Sequence, residues 1–373
     1  MSKALRSVFV VAAAVCAMAM VSGGVIAAAL QGLGAPVTVA DTPADSKDPA
    51  VAYGGSITHV VWVESDQIVH SWNAGAGWST PVTAAIGTDP ALIVDGGGVP
   101  HLVFTEFFTP TDNIYHTRYM TGTWEAPRRV SGGTNIASAP DIAIGPNGTL
   151  YIVWSELVGA AKQIRYSSSI NGGATWTSDQ PIPNAEGSGP ELAIGSDGAI
   201  HIVWQDALSP FRIKHTQRVT TEWSLPASLS VAGVSAFAPD AASSGGKAHV
   251  VWEQSSSIRY ATIANLQQST PVTLSSGSAK SPAIAANGQG ALIAAWDSGV
   301  TITLRMGGPG GWGAEQVLGS SSAISIGQVG LASGPAGSVY AVFSSPDPNN
   351  RNIVFNSFST QAVYLPLVMK SYP

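Results

Sequence analysis

A chain of 373 residues with a formal charge of −6 and only 11% charged residues lacks the basic stripe of a nucleic-acid binder. One cysteine excludes a disulfide framework, and 41 glycines with 24 prolines point to a turn-rich all-β protein rather than a helical one.

Residues 1–35 read as a targeting element. Lys3 and Arg6 precede an apolar run from Val8 to Leu30, and Ala27-Ala28-Ala29 offers a cleavage site. The run is also long enough to cross a bilayer, so an uncleaved N-terminal anchor is the alternative to a signal peptide. Both readings export the rest of the chain, as a secreted or cell-surface protein, and membrane attachment enters only through that anchor. Cys16 falls inside the run, so the exported part has no thiol. Next comes Pro36-Val-Thr-Val39, which repeats the wording of Pro81-Val-Thr-Ala84 and Pro271-Val-Thr-Leu274.

From here one short apolar strand recurs. The copies are His59–Trp62, His101–Phe104, Tyr151–Trp154, His201–Trp204, His249–Trp252, Ile293–Trp296 and Tyr340–Phe343, with closing aromatics 42, 50, 50, 48, 44 and 47 residues apart. A period in the forties built from strands is that of propeller blades. Each copy is preceded by a Pro-led apolar segment and a Gly-rich turn, as in Pro140-Asp-Ile-Ala-Ile and Pro190-Glu-Leu-Ala-Ile. It is followed by an Ile-x-His/Tyr strand and then, in most copies, by a Trp with Pro soon after, as in Trp124-Glu-Ala-Pro127. The expected fold is all-β, a seven-bladed β-propeller of four-stranded antiparallel blades over residues 36–360. The seventh unit stops after its third strand, and Pro36–Val39 supplies the missing strand and closes the ring. Val363–Val368, in a C-terminal tail of residues 361–373, is the rival for that place.

At the end of the third strand of unit 3 stands Ser169-Ile-Asn171-Gly-Gly173-Ala-Thr175-Trp176. It resembles the Asp-box, Ser-x-Asp-x-Gly-x-Thr-Trp, of the sialidase-like (BNR-repeat) propellers, with Asn171 in place of Asp. The resemblance implies a propeller fold and a structural role for Ser169, Asn171, Gly173, Thr175 and Trp176 on the face opposite the family's active site. It carries over no catalytic residue, because no arginine occurs between Ser7 and Thr117, where the family's first-blade arginine is expected. The fold alone does not fix an activity.

Internal copies act as a control: a residue type repeated in register is structural, and one that departs from register is a functional candidate. The seven histidines and ten of the eleven tryptophans repeat in register, as do Glu64, Glu106, Glu156 and Asp206, each two residues past its strand-ending aromatic. Trp72 is the tryptophan out of register and reads as rim packing. At the start of the innermost strand, Asp141, Glu191 and Asp240 stand where units 1, 2, 6 and 7 have Ala50, Ala91, Ala283 and Gln328. Three adjacent blades thus carry carboxylates at the mouth of the axial channel. Phe107, Phe108, Lys162, Phe211, Arg212 and Arg351 lie in loops expected on the same face. The expected site is a polar pocket that binds a glycan or a cell-surface protein without catalysis. The alternative is a diverged glycoside hydrolase using Asp141, Glu191 or Asp240 as acid and base. No cofactor and no metal site are expected, and the chain reads as a monomer.

Overall fold

The computed structural model describes residues 28–31, 36–42, 44–107, 111–287, 290–299, 301–308, 310–320, 329–344 and 352–362. Among them, regular structure is antiparallel strand apart from one 3-10 turn at Pro335–Gly337. Each repeat forms a small meander. In unit 1, Ser46–Gly54, Ile57–Glu64, Gln67–Asn73 and Val82–Ile86 lie in that order across one sheet. Units 3 and 4 are joined by Gln180–Ile194, whose first part pairs with Ala161–Ser169 of unit 3 and whose second part pairs with Ile200–Asp206 of unit 4.

The second strands read as unbroken apolar runs because both of their faces are covered. Val60, Val61, Trp62 and Val63 are fully buried, as are Ile152, Val153 and Trp154. The core is divided into clusters, each lying between one unit and the next. Trp154 packs with Ile114 and Val103 of unit 2, and Trp204 with Val153 and Ile164 of unit 3. The last cluster sets Val342 and Ile353 of unit 7 against Val51, Val60 and Trp62 of unit 1.

A second inter-unit contact recurs outside this one. Where a Trp follows the third strand, in units 1 to 4 and 6, it meets, edge to face, the His, Tyr or Phe of the preceding unit. Trp124 meets His70 at 5.1 Å, Trp176 meets His116 at 5.1 Å, Trp223 meets Tyr166 at 5.3 Å and Trp312 meets Tyr260 at 4.9 Å. Trp78 of unit 1 makes the same contact with Phe355 of unit 7, at 4.9 Å. Trp72 is half-buried, stacked on His70 and 5.4 Å from Tyr119, as rim packing requires.

The innermost strands lie side by side in chain order, from Ser46–Gly54 to Val329–Ser333, and the last of them also contacts the first. Val37–Ala40 pairs antiparallel with Ile353–Ala362, the third strand of unit 7. Ala28–Gln31, inside the segment read as a leader, pairs further along the same strand. Val363–Val368 lies outside the described residues.

Two expectations need correction. The fourth strand is often two short pieces, such as Thr123–Trp124 and Arg128–Arg129, both paired with Asn113–Met120. Pro127 between them has no N–H to donate, and an edge strand tolerates that gap. In unit 7, the residue equivalent to Asp141 is Gly330, not Gln328. Gly330 pairs with Val342, just before Phe343, as Asp141 pairs with Val153, just before Trp154. Gln328 lies outside the described residues.

Candidate functional site

The channel mouth is made by a bulge repeated in the innermost strands. Ahead of the Pro in each of units 1 to 6, the chain takes a left-handed turn, at Asp48, Asp89, Ala139, Gly189, Ala238 and Ser281. The pairing register shifts at each of these points, as between Ser138 and Asp141. Proline fixes its own φ and offers no donor, so the ladder is interrupted there and the strand restarts one residue later. That restart puts residues 50, 91, 141, 191, 240 and 283 on the wall of one cavity of about 490 Å³, which Gly330 of unit 7 also lines.

Asp141, Glu191 and Asp240 all line it, together with Asp48, Asp89 and Gln205. The remaining wall is largely proline, alanine, valine and leucine. Gln205 gave no sequence signal, since it sits one residue past Trp204, where the repeats vary. Phe107 and Lys162 are exposed, and Phe211 and Arg212 half-buried, at strand ends facing the same way; none of the four lines the cavity. Phe211 and Phe237 have ring centroids 5.8 Å apart. Phe108 and Arg351 lie outside the described residues.

The three carboxylates differ in what they hold. Asp141 accepts the N–H of Ile142 at 2.7 Å and, with its other oxygen, the N–H of Leu192 in unit 4 at 2.8 Å. Asp240 does the same with Ala241 at 2.7 Å and with Ile284 of unit 6 at 2.6 Å. Each aspartate therefore clamps its own strand start to the next unit's innermost strand. Glu191 has one more methylene, which carries its carboxyl past such a clamp, and it has no hydrogen-bond partner among the described residues.

Protein encloses all three groups, although part of each side chain still meets channel solvent. Loss of hydration raises all three above the ordinary carboxylate range. For Asp141 and Asp240 the two backbone N–H groups oppose the rise, whereas for Glu191 the charges of Asp141 and Asp240 add to it. Glu191 is thus the group that keeps its proton when the three compete. Among the described residues, no three His, Cys, Asp or Glu side chains converge as metal ligands.

The repeated carboxylates have a structural use. The indole N–H of Trp62 donates to Glu64 at 3.2 Å and that of Trp154 to Glu156 at 3.1 Å, because residues two apart on a strand share a face. Glu156 also pairs with Arg165 at 3.3 Å.

The histidines lie at the opposite end of the sheets, in cross-strand pairs. The ring nitrogens of His59 and His70 are 3.0 Å apart, those of His101 and His116 3.0 Å, and those of His201 and His215 3.1 Å. His70 Nδ1 accepts the indole N–H of Trp124 at 3.3 Å, which leaves its proton on Nε2 to donate to His59. Burial lowers His59 to about 4 and His70, His116 and His215 to about 3, so these rings are neutral at ordinary pH. The unfolded chain takes up protons near pH 6.5 that the folded chain refuses. Histidine-linked stability is therefore full above about pH 6.5 and falls as pH drops toward about 3. His116→Phe, which copies the residue that unit 7 has at Phe355, should flatten the acid limb of stability against pH by up to about 1.4 kcal/mol per pH unit. Chemical denaturation at a series of pH values measures this.

Also at that opposite end, the turn after Ala161–Ser169 is tied by its own side chains. Ser169 Oγ donates to Asn171 Oδ1 at 2.8 Å and accepts the N–H of Gly173 at 2.9 Å, while Asn171 Oδ1 accepts the N–H of Thr175 at 3.0 Å. Gly173 has φ +78°, and a Cβ there would fall 2.1 Å from His116. These residues hold a turn, away from the cavity.

No family model and no curated protein matches the sequence. Solved structures do. A PL25 ulvan lyase bound to -[GlcA(1-4)Rha3S]- superposes with TM-score 0.62 at 12% identity, over 86% of this chain and 95% of that one. The Hadza microbial sialidase Hz136 gives 0.52 at 13%, over 83% and 74%, and an Aleuria aurantia lectin in complex with Fucalpha1-6GlcNAc gives 0.51 at 15%, over 75% and 99%. At such identities the likeness concerns the fold, and it is to a sialidase-like, propeller-like all-β fold that this chain conforms.

Proposed function

We propose that the chain is an exported, seven-bladed propeller, closed by Val37–Ala40, that binds a glycan at the channel mouth without turning it over. Support for the ring comes from the inter-unit contacts: the cluster of Val51, Val60 and Trp62 with Val342 and Ile353, and Trp78 on Phe355, repeat between units 7 and 1 what neighbouring units do elsewhere. Export rests on the apolar leader alone.

One observation carries the functional reading. Of the three carboxylates that depart from the repeat, Asp141 and Asp240 each commit both oxygens to backbone N–H groups, and Glu191 alone is left for a ligand. A glycosidase needs two working carboxyls about 5 to 10 Å apart across the sugar, one to protonate the leaving oxygen and one to attack or to activate water. Two locked aspartates and one free acid favour binding over hydrolysis. A protonated Glu191 offers both a donor and an acceptor to sugar hydroxyls, and the exposed rings of Phe107 and Phe237 offer apolar surface for ring stacking beside the mouth.

A glycan array probed with the exported domain tests this. Binding to a defined set of glycans, weakened at least about tenfold by Glu191→Ala, with no release of free sugar, is the expected result. Turnover lost in Glu191→Ala would make the protein a hydrolase. A silent array alongside capture of a surface protein would move the function to protein recognition.

A further inference from the structure

Both ends of the chain leave the sheets on the face opposite the channel mouth. The third strand of unit 7, Ile353–Ala362, runs from the mouth to that far face, where Ala362 pairs with Ala28. Residues 363–373, the first seven of them apolar, continue from this point, and so does the leader in the other direction. Because Ala28–Gln31 belongs to the sheet, a cut after Ala29 would remove two of its four pairs, Ala28 with Ala362 and Ala29 with Gln361. Upstream of the strand, residues 8–27 are twenty positions without a charge, behind Lys3 and Arg6. Twenty residues wound as an α-helix measure about 30 Å, the thickness of a bilayer's hydrocarbon core. No polar linker separates that run from Ala28, so a bilayer crossed by it lies directly against the far face.

The turns of the far face present apolar side chains. Ile170 is 88% exposed, because Ser169 and Asn171 on either side of it turn inward to tie the loop. Val219, which follows Ile213–Arg218, is 61% exposed, and Leu266 56%. Leu266 has φ +65° at the second position of the two-residue turn from Ala264 to Gln267, where the matching turn of unit 2 has Gly122. A leucine there is strained and bathed in water at once, and such a residue serves a contact rather than the turn. Asp95 and Asp197, also in turns of this face, each spend an oxygen on backbone N–H groups of their own turn. Glu222 and Lys247, both exposed, add one charge of each sign.

We propose that the leader stays attached as an anchor and that the far face rests on the lipid bilayer, with Ile170, Val219 and Leu266 in the headgroup layer and the channel mouth pointing away from the membrane. Lys3 and Arg6 hold the N-terminus on the cytoplasmic side. Each apolar tip gains by leaving water, and residues 363–369 gain in the same layer, with Lys370 among the headgroups.

Two readouts on the full chain test this. In membranes of the expressing cell, the protein should resist a carbonate wash and retain its leader by mass, whereas a chain cut from its leader and recovered in solution overturns the anchor. Orientation is read from Ile170→Cys, Val219→Cys and Leu266→Cys and, at the mouth end, from Leu208→Cys, a residue as exposed as they are. Each is made in a Cys16→Ser chain, checked by thermal melt, labelled with a fluorophore and placed in phosphatidylcholine and phosphatidylglycerol vesicles that carry nitroxide lipids. Labels at 170, 219 and 266 should lose most of their emission, and the label at 208 little. Strong quenching at 208, or none at the three turns, overturns the orientation. Glycan affinity enters neither readout, so failure here leaves the glycan reading standing.

Discussion

Deleting residues 36–40 is expected to lower the unfolding free energy by about 4 kcal/mol or more, a loss in the exceptional range for so small a change. Val39 is only 6% exposed and belongs to the cluster of Val51, Val60, Trp62, Val342 and Ile353, where the last unit meets the first. Its removal takes away one buried valine side chain, whose burial is worth about 1.5 to 3 kcal/mol. It also takes away the ladder bonds to Ile353, Val354 and Phe355 and bares that end of the strand as an edge. The exposed edge should show as concentration-dependent association in sedimentation or light scattering. Denaturant melts read the stability directly. A truncated chain as stable and as monomeric as the parent would mean that Val37–Ala40 does not close the ring.

Asp141→Ala and Asp240→Ala are each expected to cost about 2 to 4 kcal/mol. Both substitutions strand two backbone N–H groups, and a hydrogen bond to a charged acceptor contributes about 1.5 to 3 kcal/mol. One of the lost bonds joins two units, to Leu192 or to Ile284, so the innermost strands of neighbouring blades lose a fastening. A compensating gain comes from removing one carboxylate beside Glu191, and it is the smaller effect because Glu191 holds its proton and carries little charge to repel. Asn at either position should fall between Asp and Ala. Its Oδ1 replaces one acceptor, while its Nδ2 turns a donor toward a donor.

The repeat was legible because a strand buried on both faces writes itself as an apolar run, and seven such runs close with an aromatic. The in-register histidines, tryptophans and carboxylates have partners that account for their repetition: His70 with His59 and Trp124, Glu156 with Trp154. Sequence could not reveal the role of Asp141, since its second partner is a main-chain N–H 51 residues later, and a main-chain group leaves no mark on composition. Aspartate and glutamate at one register looked equivalent. The methylene that separates a clamp from a free acid matters only once the neighbouring strand is in place. In unit 7 no Pro stands ahead of the innermost strand, so the repeat offers no marker for the register of Gly330. Gly330 stands there because a Cβ would meet Pro49 O at 2.9 Å, where the last inner strand passes the first.

The division of labour among the three channel carboxylates is tested most directly by Glu191→Ala, with stability and glycan binding measured on the same preparation at pH 8. An acid held for a ligand strains the empty protein, so the variant should unfold at a higher denaturant midpoint, by about 0.5 to 2 kcal/mol, and lose most of its glycan affinity. A variant that is less stable and binds as before would show that Glu191 supports the fold like its neighbours.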